Sequence, residues 1–165
     1  MIHSETIAAF LAAYPAATQS EFRGQTRVVV PVESLRTALE FLKNRLKFDL
    51  LVDVTCVDYL NYRDADHRYG LVYLLASVDT AERLTVRTFV DDPDPAVPSA
   101  VPLWEGANWM EREVWDMFGI RFDGHPDLRR ILLPEEFTAH PLRKDYPMQG
   151  RGERHNFPVL ERAGG

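Results

Sequence analysis

The sequence predicts an α+β fold: a mixed β-sheet with helices packed on one face, followed by a helix and a long irregular C-terminal arm. Three patterns predict it. Strand-like segments follow one another between residues 48 and 90, an amphipathic helix precedes them at residues 33–46, and a proline-rich segment without helical periodicity begins at residue 121. Consecutive strands favour α+β over a doubly wound fold. The 165 residues suit one domain.

The N-terminal elements are read from periodicity and from turn residues. Ser4 is a potential cap of a short helix whose apolar stripe includes Ile7 and Phe10, and Pro15 closes that helix. Residues 26–32 are rich in β-branched side chains and predict a strand. Leucines recur at helical spacing through residues 33–46, which predicts the clearest helix of the chain.

Three predicted strands complete a globular core over residues 1–92. They cover residues 48–59, 69–78 and 84–90, and the polar residues 79–82 between the last two indicate a hairpin. Cys56 lies among valines in the first of these strands, so we interpret it as a small buried apolar residue and not as a nucleophile.

Residues 93–120 form a proline-rich connection and a helix that we assign to the same domain. The helix covers residues 108–118, with Asn108 and Glu111 as a capping box and Gly119 at the left-handed C-terminal position. Arg112, Glu113 and Asp116 gather on its polar side around Trp109. Two interpretations stay open for this side: a protein contact, or a salt-bridged solvent face with one exposed indole.

Residues 121–165 form the C-terminal arm. Four prolines interrupt residues 121–155, yet this stretch keeps many apolar side chains, from Phe122 to Tyr146. Long segments without regular structure are usually functional or disordered, and this one is too apolar for disorder. We therefore expect an extended arm that lies on a surface, either of this domain or of another protein.

Composition and motifs exclude several classes of function. The net charge of −6 argues against a nucleic-acid binder, and one cysteine allows neither a disulfide nor an iron–sulfur cluster held by this chain alone. Glycine-rich nucleotide loops and helical zinc motifs are absent from the sequence, as is any apolar stretch of membrane-spanning length. His125 and His140 each precede a proline, and we interpret both as hydrogen-bonding anchors of the arm.

Three segments resemble the family of the C-type subunit of NADH-quinone oxidoreductase, which is the 30-kilodalton subunit of respiratory complex I. They are residues 111–126 (EREVWDMFGIRFDGHP), 128–133 (LRRILL) and 140–147 (HPLRKDYP). Thr138 and Ala139 depart from the pattern, because a glycine is expected before His140, and only local turn geometry is affected.

The resemblance implies a non-catalytic structural subunit in the hydrophilic arm of a proton-pumping NADH:quinone oxidoreductase. It implies FMN and iron–sulfur clusters in partner subunits and none in this chain. It also implies contacts with the D-type subunit of 49 kilodaltons, and with the cluster-bearing B-type and I-type subunits, at the cytoplasmic side of the inner membrane. Two alternatives stay open: the equivalent subunit of a related complex (photosynthetic-type, or an energy-converting membrane-bound hydrogenase), and a free-standing enzyme using Glu111, Glu113 or His125.

The same resemblance marks a set of residues as a subunit interface. They are Glu111, Arg112, Glu113, Asp116, Phe118, Gly119, His125, Pro126, Arg129, Arg130, His140, Pro141, Arg143, Lys144, Asp145 and Tyr146.

Overall fold

A computed structural model describes residues 2–152 of the chain. These residues form three α-helices and seven β-strands. The helices are α1 (Ser4–Ala13), α2 (Leu35–Asn44, preceded by a 3-10 turn at Val32–Ser34) and α3 (Ala107–Phe118). The strands are β1 (Thr18–Phe22), β2 (Gln25–Val29), β3 (Leu50–Asp58), β4 (Tyr69–Ala76), β5 (Arg83–Val90), β6 (Ala96–Pro98) and β7 (Arg121–Asp123).

Five strands form the main sheet in the order β1-β2-β5-β4-β3. The β2–β5 pair is parallel and the other pairs are antiparallel, so the sheet is mixed as predicted. Burial alternates along β4 and β5, with Leu71, Tyr73 and Val86 among the buried residues. One core contains these residues together with Phe10 of α1, Leu39 of α2 and apolar residues of α3. The predicted α+β class, with helices against one face, is confirmed.

Two short strands that the sequence patterns did not predict form a second sheet. β6 and β7 are parallel, with Val97 opposite Phe122, and both of these side chains are buried in the core. Three residues are too few to show a period, and Pro98 is an unusual strand residue. Residues 121–123 therefore belong to the folded body, and the irregular part of the arm starts after Asp123. β1 was missed for another reason, since all its residues are exposed.

Two predicted helix caps are wrong. Ser4 lies inside α1, whose N-cap residue is His3 without a side-chain cap; instead, the backbone amide of His3 donates to the carboxylate of Glu82 at 2.6 Å. The N-cap residue of α3 is Gly106, and neither Asn108 nor Glu111 forms a capping box there. The helices themselves, and the end of α1 before Pro15, are confirmed within one or two residues.

Residues 124–152 contain neither helix nor strand and run over the domain in a series of turns. Leu128 and Leu133 pack, partly buried, against the core. The described part of the arm thus lies on its own domain, one of the two surfaces that the sequence left open; residues 153–165 of the predicted arm lie outside the described residues. No helix within residues 2–152 has the length and apolar character needed to cross a bilayer.

Candidate functional site

Helix α3 and the arm meet at Asp116, whose side chain is fully buried. One carboxylate oxygen, Oδ2, accepts hydrogen bonds from three consecutive backbone amides, those of Ile131, Leu132 and Leu133, at 2.8 to 3.0 Å. The other oxygen, Oδ1, lies 2.5 Å from a guanidinium nitrogen of Arg130. Burial by itself would raise the pKa of Asp116, but these bonds outweigh it and the pKa is lowered. The carboxylate therefore stays charged and clamps the arm.

Arg130 and His140 complete this clamp from the arm side. The Arg130 guanidinium is only 10% exposed, also donates to the Ala139 carbonyl at 3.1 Å, and lies 5.6 Å from the Trp115 ring centroid. His140 Nδ1 lies 3.0 Å from the Asp116 carbonyl oxygen, so this nitrogen carries the proton and donates. Burial lowers the pKa of His140, which keeps its imidazole neutral.

Gly119 ends α3 with φ of 75°, as predicted for the left-handed C-terminal position. The His140 ring packs directly on it: a Cβ at Gly119 would lie 2.6 Å from His140 Cδ2. The freed carbonyls at the end of α3 are also taken by the arm, since Arg143 Nε donates to Phe118 O at 2.7 Å. The positive φ and the close contact with His140 thus each favour glycine at position 119.

A second junction holds the arm near the end of β3. The Asp58 side chain is fully buried and accepts the Lys144 backbone amide at 2.8 Å and an Arg68 nitrogen at 3.2 Å. Arg68 also pairs with Asp92 and, at 2.9 Å, with Asp145. Burial opposes ionisation of Asp58, but the donated bonds prevail and its pKa is lowered. Asp58, Arg68 and Asp92 were missed by sequence reasoning, because they fall in no motif and are brought together only by the fold.

Arg112 and His125 hold the first turns of the arm. Arg112 donates to the backbone carbonyls of Arg129 and Arg130 at 3.1 and 2.9 Å. His125 Nε2 donates to Asn108 O at 3.1 Å, while its Nδ1 accepts the Asp127 amide at 3.0 Å. His125 and His140 are therefore hydrogen-bonding anchors of the arm, as the sequence indicated.

Glu111 is buried in another place, on the core side of α3. Its two carboxyl oxygens accept Ser99 Oγ at 2.7 Å and the Ala100 amide at 2.6 Å, which ties α3 to the segment after β6. Burial raises the pKa of Glu111 to about 7, and the two hydrogen bonds reduce the rise. The predicted capping role is replaced by this cross-link.

The remaining predicted interface residues differ in exposure. Phe118 belongs to the core, and Pro141 and Tyr146 are half-buried. The exposed members are Glu113, Pro126, Arg129, Lys144 and Asp145. On the polar side of α3, Trp109 is 59% exposed, while Asp116 is buried, so the interpretation of that whole side as a solvent face is wrong at Asp116. That the set contacts other subunits stays a prediction; the structure shows that most members hold the arm.

Groups suited to other chemistry are sparse in the described part of the chain. Residues 2–152 include no group of three or more His, Cys, Asp or Glu side chains placed to hold a metal ion. Cys56 is buried in β3, as expected, and burial raises the pKa of its thiol to about 12, which makes it a poor nucleophile at neutral pH.

Comparison with known proteins connects this arrangement to a family. The family model described as respiratory-chain NADH dehydrogenase, 30 Kd subunit, matches residues 28–152, which include the last two residues of β2, all elements from α2 to β7 and both junctions of the arm. The chain belongs to this family. The family that the sequence segments resemble is thereby confirmed.

Relatives and solved structures agree with this assignment. The chain is 51% identical over 130 residues to the C-type subunit of NADH-quinone oxidoreductase from Trichlorobacter lovleyi and 45% identical to that from Geobacter sulfurreducens, with 79% of each chain covered. It is similar to a trypsin-resistant fragment (1-134) of Nqo5 (35% identity, TM-score 0.69, 74% of this chain and 99% of that one). It is also similar to a chain of the membrane-bound sulfane sulfur reductase, an archaeal respiratory membrane complex (25% identity, TM-score 0.77, 98% and 94%).

Membership gives the chain a coarse role: it is a subunit of a multi-subunit respiratory oxidoreductase, of the 30-kilodalton type found in complex I. The arm junctions at Asp116 and Asp58 lie within the part of the chain that matches the family model.

Proposed function

We propose that the chain is a structural subunit of a proton-pumping NADH:quinone oxidoreductase and performs no chemistry of its own. Its task is to fill the flank of the quinone-reducing module, so that electrons pass from NADH through FMN and iron–sulfur clusters in partner subunits to quinone. The partners are the 49-kilodalton D-type subunit and the cluster-bearing B-type and I-type subunits. The chain sits on the cytoplasmic side of the inner membrane, held there through the complex, and it contacts no nucleic acid.

The engagement of Asp116 is the observation that carries the proposal. A catalytic carboxylate must reach the atom it protonates or deprotonates. Asp116 is instead surrounded by three backbone amides and one guanidinium from its own chain. Glu111 and His140 likewise form hydrogen bonds within the chain, Glu111 with Ser99 and His140 with the Asp116 carbonyl. What these groups provide is a fixed path for the arm, which suits a scaffolding role.

The free-standing enzyme is tested with the purified chain. We expect no NADH oxidation and no quinone reduction by the chain alone at any pH between 5 and 9. Turnover with a bell-shaped pH dependence that disappears in Glu113→Gln or His125→Asn would establish an active site and end the proposal.

The scaffolding role is tested in membranes. A tagged full-length chain, isolated from solubilised membranes, should co-purify with the D-type, B-type and I-type subunits. Deletion of the gene for this chain should abolish NADH-dependent proton pumping, although the genes of the other subunits are still expressed. Recovery of the chain alone, or of a complex active without it, would contradict the proposal.

A related complex with another electron donor is the second candidate. The similarity to the archaeal sulfane sulfur reductase supports this candidate, because it covers nearly the whole chain and that respiratory membrane complex is named for reducing sulfane sulfur, not quinone. Mass spectrometry of the same preparation separates the two: subunits that bind NADH and FMN support the first candidate, and their replacement by hydrogenase-like or other donor subunits supports the second.

A further inference from the structure

The main sheet has a second face, turned away from the helices, which we call the open sheet face. Alternation along the strands places there Arg27 and Val29 of β2, Val72, Leu74 and Ala76 of β4, Arg83, Thr85, Arg87 and Phe89 of β5, and Leu50, Val52 and Asp53 of β3. Leu50 and Val52 are 46% and 48% exposed. A groove of about 610 Å³ crosses this face between Gln25 and Leu50. Exposed apolar area of this kind marks interaction sites.

The charge of this face opposes that of the chain. The chain carries a net charge of −6, yet the face presents Arg27, Arg83 and Arg87 and, on its strand positions, only Asp53 as an acid. Within residues 2–152 none of the three arginines lies within ion-pair distance of a carboxylate. Arg27 instead stacks over the Phe22 ring, 4.4 Å from its centroid. The open sheet face is thus cationic and apolar, and its three arginines have no ion-pair partner within residues 2–152.

An aromatic pocket continues the face at the far end of β5. It has a volume of about 430 Å³, and its walls include Tyr59, Tyr62, His67, Arg87 and Phe89. The rings of Tyr59 and Phe89 close over Gly70, where a Cβ would lie 2.8 and 2.9 Å from them. The Arg87 guanidinium lies 5.8 Å from the Tyr59 ring centroid and 5.1 Å from that of Phe89, and it donates to the Tyr59 hydroxyl. Tyrosine and arginine in such pockets are the residue types that dominate binding energy at protein interfaces.

Arg87 also has a donor without an acceptor. Its Nε is buried and has no hydrogen-bond partner among the described residues. Asp64 and Asp66 line the pocket, but neither comes within ion-pair distance of Arg87. A buried donor left unsatisfied is energetically unfavourable. Because this Nε is buried, an acceptor from another molecule can meet Arg87 only at its other guanidinium nitrogens.

We infer that the open sheet face docks an acidic, partly apolar surface segment of a neighbouring subunit. A carboxylate of that segment meets Arg87, its other acids face Arg27 and Arg83, and its apolar side chains cover the groove beside Leu50 and Val52. The inference rests on the proposed function, since it requires the chain to be assembled with other subunits. Charge complementarity at this face would also set the orientation of the encounter.

Two other occupants fit these charges less well. A second copy of the chain would meet the face through a two-fold axis and set this cationic face against the same cationic face, which places like charges close together and is unfavourable. Each cation near an anionic membrane surface strengthens binding only modestly, so three arginines on a chain of net charge −6 give weak attachment.

Charge reversal on this face provides the test. The variant carries Arg27→Glu and Arg83→Glu; the matched control carries Arg45→Glu and Lys47→Glu, two exposed cations at the end of α2 on the helical side. Both variants change the net charge equally. Surface substitutions of this kind alter stability little, so both isolated chains should melt close to wild type. Incorporation of the tagged variant into the membrane complex should fall at least about tenfold, the equivalent of 1.4 kcal/mol, and the control should incorporate normally.

Further measurements identify the occupant. With a photo-crosslinking residue at Thr85 in the intact complex, we expect the adduct to map to a segment of another subunit that carries net negative charge. An adduct with a second copy of the chain, an adduct with a neutral or basic segment, or charge-dependent binding of the isolated chain to phosphatidylserine vesicles would overturn the inference. If the wild-type chain enters the complex and the Arg27/Arg83 variant enters equally well, this inference alone fails. If the wild-type chain enters no complex, the proposed function fails first.

Discussion

Replacing Asp116 of α3 by Asn is the most direct test of how α3 holds the arm. The substitution keeps the size of the side chain and removes its charge. It also puts an NH₂ group, which only donates, where four donors converge: three backbone amides on Oδ2 and the Arg130 guanidinium on Oδ1. At least one amide or the guanidinium then loses its acceptor in a buried setting.

The magnitude follows from burial. Asp116 is fully buried and Arg130 is 10% exposed, and removing one partner of such a pair costs about 3–5 kcal/mol. For a domain of this size, 1 kcal/mol changes Tm by about 2–4 °C, so Tm should fall by roughly 6–20 °C. Glu113→Gln is the matched control, because Glu113 is exposed on the same helix and should change stability by about 0.5 kcal/mol or less.

Calorimetry of the purified chain measures the effect, and limited trypsin digestion reports on the arm, with faster cleavage expected after Arg129 and Arg130. The lowered pKa of Asp116 adds a pH test. Stability from a carboxylate of lowered pKa is present above about pH 4 and is lost as pH falls through the folded-state pKa. The gap between wild type and Asp116→Asn should therefore close in strong acid. If Asp116→Asn melts and is digested like Glu113→Gln at pH 7, Asp116 does not hold the arm on α3.

Two further predictions concern α3. Gly119→Ala places a Cβ 2.6 Å from His140 at a φ of 75°, so it should lower the free energy of unfolding measured in urea by at least about 1–3 kcal/mol. The control is Gly106→Ala, which has open space around it and should change that free energy by no more than about 0.5 kcal/mol. Equal effects of the two substitutions would contradict the contact between Gly119 and His140. The pKa of Glu111 is raised from 4.5 to about 7, so its contribution is complete below about pH 4.5 and is lost as pH rises to about 7, a difference of roughly 3 kcal/mol. Glu111→Gln should remove that part of the pH dependence of unfolding between pH 4.5 and 8, and a profile unchanged from wild type would show that Glu111 ionises freely.

Periodicity predicted the elements whose burial is one-sided. The leucines of α2 and the alternation in β4 and β5 were sufficient, because each of these elements packs one face on the core. β1 gave no such pattern, since all its residues are exposed. The three-residue strands β6 and β7 exist through pairing with each other across more than twenty residues. Such pairing depends on tertiary contacts that no local window contains.

For the candidate site, the sequence identified most residues of the junction between α3 and the arm but misjudged what several of them do, and it missed Asp58, Arg68 and Asp92 of the second junction. Glu111 fitted a capping box by spacing alone, but its carboxyl lies on the core side of α3 and binds Ser99 and Ala100. Asp116 looked like one acid of a charged face, and its three backbone donors come from residues 131–133. Backbone amides carry no sequence signal. The resemblance to a family located the motif, and the fold shows that Asp116 in this motif binds backbone amides of its own chain.

Several residues of the family motif bind the chain itself, and this changes how an assembly defect in their variants must be interpreted. Because Asp116, Arg130 and Arg143 contact the chain itself, a variant at any of them loosens the arm before a neighbour is involved. Loss of assembly in such variants therefore does not locate an interface. Arg27 and Arg83 have no ion pair within the described residues, and both lie on the face opposite the helices. Only substitutions of that second kind can separate docking from folding, since they remove charge without removing any partner of a buried group.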